Sequence, residues 1–115
     1  MPIRKPHPHA GEVIPCTTVV HPIDAALPFE ERLERFVVQR GQLLEALTPI
    51  RRAAAIHAPF SPAIQSHLRD GHQFMRNELK ATFEPEIGAL PRARRRATVD
   101  MLDVAATWSS WEMLR

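Results

Sequence analysis

Proline sets the terms on which this chain can fold. Pro2, Pro6, Pro8, Pro15, Pro22 and Pro28 all precede residue 29. Each lacks a backbone N–H and pushes the residue before it out of the helical region, so no regular helix can run through this stretch. Residues 1–21 are expected to form an irregular arm, in which TTVV (17–20) is the one short β-prone piece. The HPH triplet at 7–9 offers two imidazoles. Histidines separated by proline in such an arm are read as solvated, and no metal site is expected there.

Beyond Leu27 the prolines thin out and fall at helix starts. Pro28 suits a first helical position, followed by Glu30, Glu31 and Glu34 where a helix N-terminus favours negative charge. Phe29, Leu33, Phe36, Val37, Leu43, Leu44 and Leu47 recur at three- and four-residue spacings, which predicts an amphipathic helix to about Leu47. Glu31 and Arg35 form a favourable i,i+4 pair on it. Thr48 then reads as an N-cap and Pro49 as the first position of a short Ala-rich helix ended by Pro59. Ser61 and Pro62 repeat that punctuation. The helix they open carries an apolar stripe of Ile64, Leu68, Met75, Leu79 and Phe83, with His72 falling on it.

EPEIGALP (84–91) reads as a connection, and the last helix is expected from about Arg92 to the end. No segment from residue 29 onward alternates with period two. The expected fold is all-α, a bundle of about four helices over residues 22–115.

At 115 residues and 44% hydrophobic, the chain suits one domain with a single core. No apolar run approaches the ~20 residues of a membrane helix. Arg4 and Lys5 are not followed by an apolar segment, so no secretory signal is expected. Cys16 is the only cysteine, which rules out an internal disulfide and suits a reducing cytoplasm. A net charge of +2 is too small to argue for nucleic acid.

The final helix holds the most informative pattern. At 100° per residue, Met101, Val104, Trp108 and Trp111 fall on one stripe, and Val99, Leu102, Ala106 and Met113 on roughly the opposite one. A surface helix of a small monomer needs one apolar stripe. Two stripes mean that the helix is either sandwiched within the domain or touches a second chain. On the second reading, Val99, Leu102, Ala106 and Met113 form the intermolecular face, with Trp108 and Trp111 turned to the chain's own core.

Catalytic chemistry finds little support. His67 and His72 are five apart and do not share a helix face, the serines lack a nucleophile motif, and four glycines make no phosphate loop. No enzyme activity, cofactor or metal is expected. PRARRRA (91–97) is the one concentrated charge run, either an anion contact or a solvated helix start offset by Arg96 with Asp100.

The segments ERLERFVVQR, TPIRRAAA, the SPAI helix start, ATFEPEIGALP and the closing SWEMLR, in that order, resemble the C-terminal regulatory domain of TetR/AcrR-family transcriptional repressors over about residues 22–115. The resemblance implies an all-helical domain that binds a small apolar or amphipathic ligand among its helices and forms a homodimer. The family's helix-turn-helix has no counterpart in residues 1–21, so direct operator binding is not expected of this chain. In a ligand-sensing fold, Phe36, Arg40, His72, Met75 and Trp108 would line the pocket, with Arg40 or His72 fixing a polar end of the ligand. The same residues would also suit a filled core. A stand-alone helical module that binds another protein is the alternative.

Overall fold

The computed structural model describes residues 21–114, and every regular element among them is helical. Residues 1–20 of the expected arm, the HPH triplet and Cys16 among them, lie outside the described residues. Helix α1 spans Phe29–His57, a 3₁₀ turn covers Ala58–Phe60, and α2 runs Pro62–Thr82. Helix α3 is Glu84–Ala89, α4 is Arg92–Ala105 and α5 is Trp108–Leu114. The all-α expectation holds, while three boundaries differ.

First, α1 does not stop at Leu47. It continues through Pro49, and Thr48 is no N-cap: its hydroxyl donates back to Leu44 O at 2.7 Å within the helix. Proline here removes one intrahelical bond, yet α2 and α5 pack on α1 and hold it continuous. Second, EPEIGALP folds into α3, with Pro85 in its first turn and Glu84 and Glu86 at its positive end. Third, the last helix breaks at Ala106–Thr107. The hydroxyls of Thr107 and Ser110 both donate to Val104 O, at 2.9 and 2.6 Å, and compete for the helix's last carbonyls.

Two other local cues are obeyed. Ser61 Oγ accepts from Ile64 N–H at 3.3 Å, with Pro62 at the first position of α2. Leu90 is extended (ψ 152°) ahead of Pro91, which separates α3 from α4.

The core gathers Phe36, Leu79, Phe83 and Val99, with Ile23, Ile87 and Ala106 packed against it. Phe36 and Phe83 meet edge to face at 5.2 Å between ring centroids. Beside it, the buried guanidinium of Arg32 donates to Leu27 O, to Thr82 O and to both carboxylate oxygens of Glu86. One side chain thus ties the start of α1 to the corner between α2 and α3. Helix α5 packs on α1, while α4 packs on α2 and α3.

Candidate functional site

The positions singled out as pocket or interface fall in three places. Phe36, Arg40 and Met75 come together and line one cleft between α1 and α2, joined by Gln39, Leu43, Phe74 and Glu78. Its volume is about 10 Å³, roughly one water molecule. Arg40 is only 7% exposed and is engaged with the protein itself. Its Nη2 donates to Met75 O at 2.9 Å, its Nη1 to Ala106 O at 3.3 Å, and its guanidinium lies 4.6 Å from the Phe36 ring centre. It joins α1, α2 and the α4–α5 junction.

His72 and Trp108 lie outside this cleft. The His72 ring is exposed, and its Nε2 meets Asp103 Oδ2 at 2.7 Å. Arg76 donates to the same Asp103 oxygen at 3.0 Å and to Asp100 Oδ1 at 2.6 Å. Burial of Asp103 pushes its carboxyl up, but the bonds from His72 and Arg76 outweigh that and hold it below its ordinary value. This network fastens α2 to α4. It was detectable in principle, since His72 and Arg76 are one turn apart on α2 and Asp100 and Asp103 one turn apart on α4. Asp100 is therefore taken by Arg76 rather than by Arg96, a correction to the expected local pair.

Trp108 opens α5. Its Nε1 donates to Thr48 Oγ1 at 3.1 Å, and the Arg51 guanidinium stacks 5.2 Å from its ring. Arg52 and Glu112 pair at 2.6 Å one turn further along. Trp108 thus seats α5 on α1, and Trp111 is half-buried on the same short helix.

The two stripes expected on the last helix exchange faces in part: Val99 and Ala106 turn inward and Met101 and Val104 outward, while Trp108 and Trp111 stay half-buried and Leu102 and Met113 exposed, as the sequence reading placed them. Val99, expected at the interface, is 4% exposed in the core, and Ala106 packs against that core. Leu102 sits at the border with 37% exposure, and Met113 is exposed on α5. Met101 and Val104, placed inward on the sequence, are 73% and 64% exposed. The break at Ala106–Thr107 explains the error: Trp108 and Trp111 belong to another helix, so they do not continue the Met101–Val104 stripe. What α4 turns outward is the row Ala93, Ala97, Met101 and Val104, all exposed. At spacings of four, four and three, these residues form the kind of seam that helices use to pack on one another.

Among the described residues no group of three His, Cys, Asp or Glu side chains could hold a metal ion, and no helix is long and apolar enough to cross a membrane. No protein-family model matches this chain, and no curated protein or solved structure matches it.

Proposed function

We propose that this chain is a helical regulatory domain of the TetR-like kind that works by pairing with a second copy, and that the outer row of α4 is the pairing surface. The observation that carries the reading is the row itself. Ala93, Ala97, Met101 and Val104 face solvent on a helix whose opposite side, Val99 and Asp103, is already buried. Met101 and Val104 are 73% and 64% exposed, and Leu102 at 37% borders them on the same helix. A contiguous apolar strip of this kind marks an association surface. Light scattering tests it. The wild-type chain is expected to be dimeric and Met101→Asp monomeric, with unchanged helicity. A wild-type chain that stays monomeric at high concentration sinks the proposal.

A second reading, ligand sensing, draws on the convergence of Phe36, Arg40 and Met75 at one cleft. Sites for small molecules enclose about 300–1,000 Å³, so a ligand here must part α1 from α2 and displace Arg40 from its carbonyls. A thermal-shift screen of amphipathic carboxylates, repeated on Met75→Ala, is the test. Under this reading some compound raises the melting temperature and the variant changes that response. A screen without shifts, with Met75→Ala costing the ~2–5 kcal/mol of a packed core position, overturns it.

A further inference from the structure

We infer that the two copies lie antiparallel along α4, the arginine-rich first half of each helix set against the second half of the other; this rests on the pairing proposed above. Three features of α4 lead there. The first is charge. Arg92, Arg94, Arg95 and Arg96 occupy the opening turns, where a helix's own dipole disfavours cations, while Asp100 and Asp103 occupy the second half. Arg95 turns back to Leu90 O and Gly88 O at 3.0 and 2.8 Å. Arg92, Arg94 and Arg96 are exposed and form no ion pair with any described residue. An antiparallel neighbour brings the negative end of its dipole and its aspartate to them. A parallel neighbour stacks arginine on arginine.

The second feature is size. The row runs small, small, large, large: Ala93, Ala97, Met101, Val104. Set antiparallel with Ala97 opposite Met101, it also brings Ala93 within one residue's rise of Val104. Every large side chain then enters the space left by an alanine, and each contact recurs by the two-fold axis. Set parallel, methionine abuts methionine and alanine faces alanine, which leaves gaps at one end and crowding at the other.

The third is reach. Arg96 and Asp100 lie on the same flank of the row, about 40° apart on the helix. In the antiparallel register, Arg96 comes opposite position 102 of the second copy, about 3 Å along the axis from that copy's Asp100. Asp100 gives one oxygen to Arg76 and keeps 53% of its side chain exposed, so it can accept from both arginines. Two symmetric Arg96–Asp100 pairs result. Each exposed pair adds modest affinity and selects the orientation, and because the two-fold axis doubles it, reversing one charge removes both pairs and sets like charges together twice.

Disulfide cross-linking decides it. In a Cys16→Ser background, Ala97→Cys and Met101→Cys chains are oxidised separately and mixed, and the products are read by mass. Antiparallel pairing gives chiefly the mixed dimer, bridged from position 97 of one chain to position 101 of the other. A bridge between the two copies of position 97 would have to span about 6 Å of extra axial offset, past the reach of a disulfide. Predominant like-with-like bridges, in chains that light scattering shows to be dimers, overturn the orientation and leave the pairing intact. Loss of the dimer itself overturns both. A charge exchange provides the second arm: Arg96→Asp and Asp100→Arg are each expected to pair roughly tenfold more weakly, and an equimolar mixture to recover. Unchanged single variants overturn the antiparallel register.

Discussion

Trp108 and Thr48, sixty residues apart, meet in one hydrogen bond of 3.1 Å from the indole Nε1 to the hydroxyl oxygen. The same hydroxyl donates to Leu44 O, so Thr48 serves α1 and α5 at once. Thr48→Val keeps the shape and removes both bonds, leaving Trp108 Nε1 without its acceptor. A loss of about 1–2 kcal/mol in a thermal melt is expected, with most of it restored by Thr48→Ser.

Pro49 occupies an exposed position inside the continuous α1. Replacing it with alanine restores a backbone donor and relieves the ring's clash with the preceding turn. Pro49→Ala is expected to raise stability by about 1–3 kcal/mol. A destabilised variant would mean that the ring itself is packed.

Arg40 joins three elements through Met75 O and Ala106 O. Arg40→Met leaves those carbonyls without the cation and should cost about 2–4 kcal/mol in urea denaturation. Lysine cannot fork toward two carbonyls on different helices, so Arg40→Lys should recover less than half of the loss.

Val99 and Met101, two residues apart, separate folding from association. Val99→Ala opens the core and is expected to cost about 2 kcal/mol of stability. Met101→Ala should leave the melting temperature of the monomer nearly unchanged and weaken the dimer. The reverse pattern would return the faces of α4 to their sequence-based assignment.

Acid should loosen the fold at two places. Hydrogen bonds from Arg32 hold the Glu86 carboxyl below its ordinary value, and those to Asp103 from His72 and Arg76 do the same against its burial. For a depressed carboxyl, the stabilisation is complete above the unfolded value of about 4 and is lost as pH falls through the lower folded one. Stability should therefore decline below about pH 4, and Asp103→Asn and Glu86→Gln should each flatten that decline. Equilibrium unfolding across the acid range, from neutral pH downward, checks it.

Helix content was legible because its signals are local. Ser61 and Pro62 act within one turn, and the Glu31–Arg35 pair forms as expected at 2.7 Å. Thr48–Pro49 carries the same local signature as Ser61–Pro62 and meets a different outcome. The two differ in partner: Ser61 Oγ accepts from Ile64 N–H three residues on, whereas Thr48 Oγ1 bonds back to Leu44 O and accepts from Trp108 at the far end of the chain. The break after Ala105 was hidden for a similar reason: besides Thr107 and Ser110 on Val104 O, it is met by Arg40, distant in sequence, on Ala106 O. Periodicity placed Val99 and Met101 on opposite faces correctly but could not tell which face meets Phe36. The cleft was read in part: Phe36, Arg40 and Met75 converge, whereas His72 turns to Asp103 because α4 lies against that side of α2.

The seating of α5 has a spectroscopic consequence. The chain has two tryptophans and no tyrosine, and both tryptophans lie on this seven-residue helix. Intrinsic emission therefore reports the release of α5 from Thr48 and Arg52, while far-ultraviolet dichroism follows mainly α1 and α2. If the two signals change together on heating, α5 belongs to the same cooperative unit as the core. If emission shifts first, the C-terminal helix is a separate unit with its own, smaller free energy of opening.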